Sequence, residues 1–180
     1  MKGFVFREFV DFVETKFGSQ VLSSIRTAAN TPEVESFDDE AEYDERYLFN
    51  LVECLHRATG ISQNDIVRIF GKHLFARLVV NYQSYLKPAD SSFEFMQQVE
   101  NLANRQIKQV NPESSLKLEY NPESTDRMIM VYQSCDEYTD LTEGLMKGCI
   151  EHFGEKVVIE KEEHAEEGQS SVTFSLVKIF

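Results

Sequence analysis

Apolar residues recur along the first hundred positions at spacings of three and four, the rhythm that gathers them on one face of a helix. Phe6, Phe9, Val10, Val13 and Phe17 mark a helix over about residues 3–17, ended by Gly18. A shorter helix is expected over residues 19–29. Pro32 and the acidic run after it read as a linker. A third helix carries Leu48, Leu51, Val52 and Leu55 along one side and stops at Gly60. Ser62 and Asp65 have the spacing of a capping box. They open a fourth helix whose apolar face holds Ile66, Ile69, Phe70, His73 and Leu74, with Arg77 at its edge. Lys87-Pro88 marks a turn, and Ser91 with Glu94 opens a further helix running to about Val110.

Beyond Asn111-Pro112 the period changes to two. Leu116, Leu118 and Tyr120 alternate with polar residues, and Met128, Met130, Tyr132 and Ser134 alternate with Ile129 and Val131. The NPESTD segment between these runs is a turn, so they pair as an antiparallel hairpin. A helix over about residues 137–153 carries Leu141, Leu145 and Ile150. Val157–Lys161 and Val172–Lys178 make a second hairpin around an acidic turn. The expected class is α+β: a helical N-terminal part, then a ββαββ part with a four-stranded antiparallel sheet.

Composition narrows the function classes. The chain has 180 residues, 42% of them hydrophobic and 14 of them Phe, enough for a substantial core. Its net charge is −13, from 31 acidic and 18 basic residues, so it lacks the basic footprint that nucleic acid binding needs. The charge concentrates at Glu33–Glu45 and Glu160–Glu167, read as solvated loops or turns, with a docking surface for a basic partner as the sharper reading. No stretch approaches the roughly 20 apolar residues of a membrane span, and the N-terminus is no signal peptide, so a cytoplasmic protein with no membrane insertion is expected. Cys54, Cys135 and Cys149 form no CxxC and fit reduced thiols. Cys149 and His152 form a Cys-x-x-His pair, short of the four ligands of a structural zinc. No nucleophile–base constellation or phosphate-binding glycine loop occurs, and an enzyme is not expected.

Two polar placements remain open on residue chemistry alone. On a helical wheel at about 100° per residue, Val99, Val110, Ala103, Met96 and Ile107 share one arc. Asn104 lies at its edge beside Phe93, either as a hydrogen-bonded boundary residue or as part of a pocket. Tyr132, Ser134 and Asp136, at i, i+2 and i+4 of a strand, point to one face, where they either bind a polar ligand edge or face solvent.

The opening MKGFVFREFVDFVETKFG, the segment IVRIFGKHLFARL from Ile66, the VYQSCD strand and the EGLMKGCIEHFGE helix together resemble stand-alone bacterial heme-nitric oxide/oxygen-binding (H-NOX) proteins. Their order and spacing match over nearly the whole chain. The resemblance implies one H-NOX-like domain over residues 1–180, with a helical subdomain at about 1–60 and pocket helices and sheet at about 61–180. It also implies a heme between the two parts, an axial histidine, a Tyr-x-Ser-x-Arg motif on the propionates, and a histidine kinase or cyclic-dinucleotide enzyme as signalling partner.

Carried over by residue, the propionate motif falls on Tyr132 and Ser134, with Asp136 where the arginine belongs. The axial-ligand position falls on Asn104, and no histidine occurs between His73 and His152. Val5, Leu74 and Leu141 fall on the distal lining, with Phe4, Phe9, Phe75 and Met96 as further bulky lining. Thr139, Lys161 and Val172 occupy the positions of a zinc site found in some relatives, with His164 the one ligand type left, so no metal is expected. An amide is a poor iron ligand, and Asp136 would repel a propionate. The expectation is therefore a heme-independent sensory module that binds a lipid-like molecule or a partner protein, with no cofactor. The alternative is a heme-based nitric oxide or oxygen sensor using another axial ligand, such as His73.

Overall fold

A computed structural model describes the chain except residues 30–36, 83–87, 101–115, 121–125, 134–138, 167–168 and 180. For residues 82, 116–120, 132–133, 165–166 and 169–170 it describes the backbone alone. The elements are α1 (Gly3–Phe17), α2 (Ser19–Ala29), α3 (Arg46–Thr59), α4 (Gln63–Tyr82), α5 (92–100), β1 (Leu116–Tyr120), β2 (Arg127–Gln133), α6 (Thr139–His152), β3 (Val157–Glu166) and β4 (Gln169–Lys178).

The first helix forms as its spacing predicts. Phe6, Phe9, Phe12 and Val13 are fully buried, each worth about 1.5–3 kcal/mol relative to exposure. Phe9 meets Phe70 of α4 edge to face at 5.0 Å. Leu22, Ile25, Leu48, Leu51, Val52, Leu55, Ile66 and Leu74 complete this N-terminal cluster. The Ser62–Asp65 cap is present: Asp65 N–H donates to Ser62 Oγ at 3.1 Å, and the hydroxyl donates to the Asp65 carboxylate at 2.6 Å. Ser91 Oγ likewise accepts from Glu94 N–H at 3.2 Å, and the Glu94 carboxylate accepts from Asp90 N–H at 2.9 Å.

The expected linker is partly a docked segment. Phe37 is buried and stacks on Phe6 at 4.8 Å, and Tyr43 meets Phe37 edge to face at 4.6 Å. The chain's N-terminal amine donates to Tyr43 O at 2.8 Å, and Gly3 N–H donates to Ala41 O at 3.0 Å. Two aromatic residues outweigh the acidic composition around them.

The sheet has four antiparallel strands in the order β1-β2-β4-β3. Met128, Met130, Val172, Phe174 and Leu176 face the core, where they join Phe93, Phe95 and Met96 of α5, Met146, Cys149 and Ile150 of α6, and Phe75 of α4. Ile129 turns outward. The acidic turn is shorter than expected. β3 continues to Glu166, which pairs with Gln169, because an edge strand satisfies its backbone while its carboxylates stay in water. Ile69 and Val99, expected on apolar faces, are 43% and 38% exposed.

α4 and α6 cross at backbone distance. Gly71, Gly144 and Gly148 lie in the contact, and a Cβ on Gly148 would come within 2.8 Å of Phe75 Cβ. Arg68 of α4 adds a polar clasp, with ion pairs to Asp140 at 2.5 Å and Glu143 at 3.1 Å of α6. No helix among the described residues is long and apolar enough to cross a membrane.

Candidate functional site

The expected lining residues divide between two cores. Phe4, Phe9 and Leu74 are buried in the N-terminal cluster, with Val5 and Leu141 half-buried against it. Phe75 and Met96 are buried in the sheet-side cluster. Leu74 and Phe75 are consecutive on α4, so this helix presents one lining residue to each core. Met1, Leu48, Phe49, Val52, Val67, Phe70 and Leu141 enclose a void of about 10 Å³ beside the first core.

Asn104, Ser134 and Asp136 lie outside the described residues, and Tyr132 is described by its backbone alone. Tyr132 pairs with Leu116 on β1 and Val172 on β4, which places it in the interior of the sheet.

Each of the four histidines has a defined setting. His56 Nδ1 lies 2.6 Å from Ile61 O. The His152 ring is exposed and 5.1 Å from that of Phe153. His164 is exposed on β3. His73 Nε2 is buried without a hydrogen bond, 3.5 Å from Glu8 Oε2 and 3.6 Å from Asp11 Oδ2. Its unpaired nitrogen therefore lies beside two carboxylates. Glu8 is 6% exposed, and its Oε2 also accepts from Arg77 Nε at 2.8 Å. Sequence reasoning gave Glu8 no role because it interrupts an apolar helix face. Its signal was Arg77, which closes the edge of the α4 face.

The Haem-NO-binding family matches residues 2–161. The chain belongs to this family. No curated protein matches it, but solved H-NOX structures share its fold. A mutant Fe(II) unliganded H-NOX protein from K. algicida is 25% identical, with a TM-score of 0.82 and coverage of 100% of this chain and 97% of that one. A mutant H-NOX from T. Tengcongensis is 19% identical, with a TM-score of 0.84 over 100% and 98%. A Cs H-NOX mutant is 18% identical, with a TM-score of 0.85 over 100% and 97%.

The match corrects the expectation that heme is absent. The family is described by heme and nitric oxide binding, and the similar structures include an Fe(II) protein. That expectation rested on Asn104 and Asp136 alone. Two polar positions do not set the energy of holding a flat apolar cofactor, because at about 25 cal/mol per Å² each 100 Å² of covered porphyrin contributes about 2.5 kcal/mol. A charge term at the solvent edge is screened to about 1 kcal/mol or less. Val5, Phe9, Leu74, Phe75, Met96 and Leu141 are all apolar, the chemistry that covering such a group requires.

Proposed function

We propose that this H-NOX-family sensor domain is a heme-based nitric oxide sensor whose iron ligand is not the imidazole usual at the position of Asn104. The family match across residues 2–161 carries the reading, and the apolar lining on α1, α4 and α6 supports it. Val5 and Phe9 from α1, Leu74 from α4 and Leu141 from α6 would hold the heme through its faces. Phe75 and Met96 would back it from the sheet side. When bound, the heme supplies an iron that takes up diatomic gases.

Gas preference follows from the side chains. Val5, Leu74 and Leu141 carry no hydrogen-bond donor, and bound oxygen, which carries partial negative charge, gains most from one. Nitric oxide binding depends less on such a donor. The signal would then pass to a partner protein, with a histidine kinase or cyclic-dinucleotide enzyme as the family expectation.

The test is the visible spectrum of the reduced, heme-loaded protein under nitric oxide and under air. A Soret shift with nitric oxide and no stable oxygen complex supports the reading. A long-lived oxygen complex would refute the donor-free pocket.

A further inference from the structure

α1 and α4 pack through phenylalanines, yet one polar patch interrupts their seam. Glu8 and Asp11, three residues apart on α1, share a helix face. His73 reaches the same point from α4. One ligand atom from each of the three side chains lies within 4.8 Å of the other two. His73 Nε2 is buried and accepts or donates no hydrogen bond. Its 3.5 and 3.6 Å separations from the Glu8 and Asp11 oxygens are long for hydrogen bonds. They match a different geometry: two bonds of roughly 2.0–2.2 Å meeting at a tetrahedral angle span about 3.3–3.6 Å.

We propose that Glu8, Asp11 and His73 form a divalent transition-metal site. One imidazole nitrogen and two carboxylate oxygens make a donor set suited to zinc, with a fourth position left for water. The surroundings support a site held ready. The Phe12 ring lies 5.6 Å from the His73 ring and restricts its rotation. Asp11, with a side chain 58% exposed, gives a metal its entry from solvent. Arg77 is bound to Glu8 Oε2, so the metal takes the carboxylate in competition with a guanidinium. The site departs from the sequence expectation of no metal, since the histidine is far in sequence from the carboxylates and only the α1–α4 packing unites them.

Occupancy would tie two helices together at the apolar lining. Phe9 follows Glu8 and Leu74 follows His73, so the ligands are sequence neighbours of lining residues on both helices. The proposal does not depend on heme and is tested apart from it.

Zinc chloride titrated by calorimetry into the full chain tests the site, with Asp11→Asn, His73→Gln and Arg77→Gln as variants. Asp11 is exposed, so its variant preserves the fold. One zinc per chain is expected, weakened at least tenfold in both Asp11→Asn and His73→Gln and strengthened several-fold in Arg77→Gln. Absence of zinc binding overturns the proposal. So does binding unchanged in Asp11→Asn and His73→Gln, which would place the ion on thiols elsewhere.

Discussion

A Cβ placed on Gly144 would lie 2.2 Å from the carbonyl oxygen of Arg68. The same Arg68 sends its guanidinium along α6 to Asp140 and Glu143, so one residue of α4 sets both the closeness and the register of the crossing. Gly144→Ala is expected to force the helices apart and to cost about 1–3 kcal/mol, the usual penalty for overpacking. Urea unfolding followed by far-ultraviolet circular dichroism measures this. Unchanged stability would show that the crossing tolerates a wider spacing.

Two glutamates make stability sensitive to acid. Burial pushes the Glu143 carboxyl up, but the Lys147 hydrogen bond and the charge of Arg68 outweigh it and hold the group below its ordinary 4.5. Burial likewise raises Glu155, and the hydrogen bonds from Lys178 and Ser92 bring it below the same value. A depressed carboxyl binds fewer protons folded than unfolded, so its stabilisation is complete above about pH 4.5 and fades as pH falls below that. Glu155→Gln should lower stability at pH 7 by about 1.5–3 kcal/mol, the worth of a hydrogen bond to a charged group. It should also flatten the acid limb of a stability profile.

Cys149 should be chemically silent. Burial and the nearby Glu155 charge push its thiol up to about 12, which leaves almost no thiolate at neutral pH. N-ethylmaleimide labelling of the native protein, mapped by peptide mass, should leave Cys149 unmodified and modify it fully in urea. Native labelling would show that the sheet-side core opens.

Phe37→Ala removes the ring that stacks on Phe6 and meets Tyr43. A loss of about 3 kcal/mol is expected for a buried phenylalanine. A loss below about 0.5 kcal/mol would show the docked segment to be unimportant to α1.

The order of elements was legible because most rest on local signals. The helical spacing of Phe6, Phe9 and Val13, the Ser62–Asp65 cap and the alternation of Met128 and Met130 each decide their surroundings within a few residues. Features that depend on distant partners were hidden. Glu8 is buried because Arg77 waits on another helix, and Phe37 is ordered because Phe6 offers it a ring. β3 extends through an acidic stretch because β4 supplies its hydrogen bonds. Of the residues expected to line a pocket, the sequence showed that they are apolar, but their division between two cores needed the α4–α6 crossing. The inference against heme failed because it weighed two polar positions and left out the apolar area that a flat cofactor covers.

Heme content decides the proposed function. The most direct measurement is the pyridine hemochrome assay on the full chain, expressed with heme precursor and purified, and repeated for Asn104→His. About one heme per chain is predicted, with a Soret spectrum that changes toward imidazole ligation in Asn104→His. A wild-type chain that emerges without heme and fails to take up added hemin would contradict it.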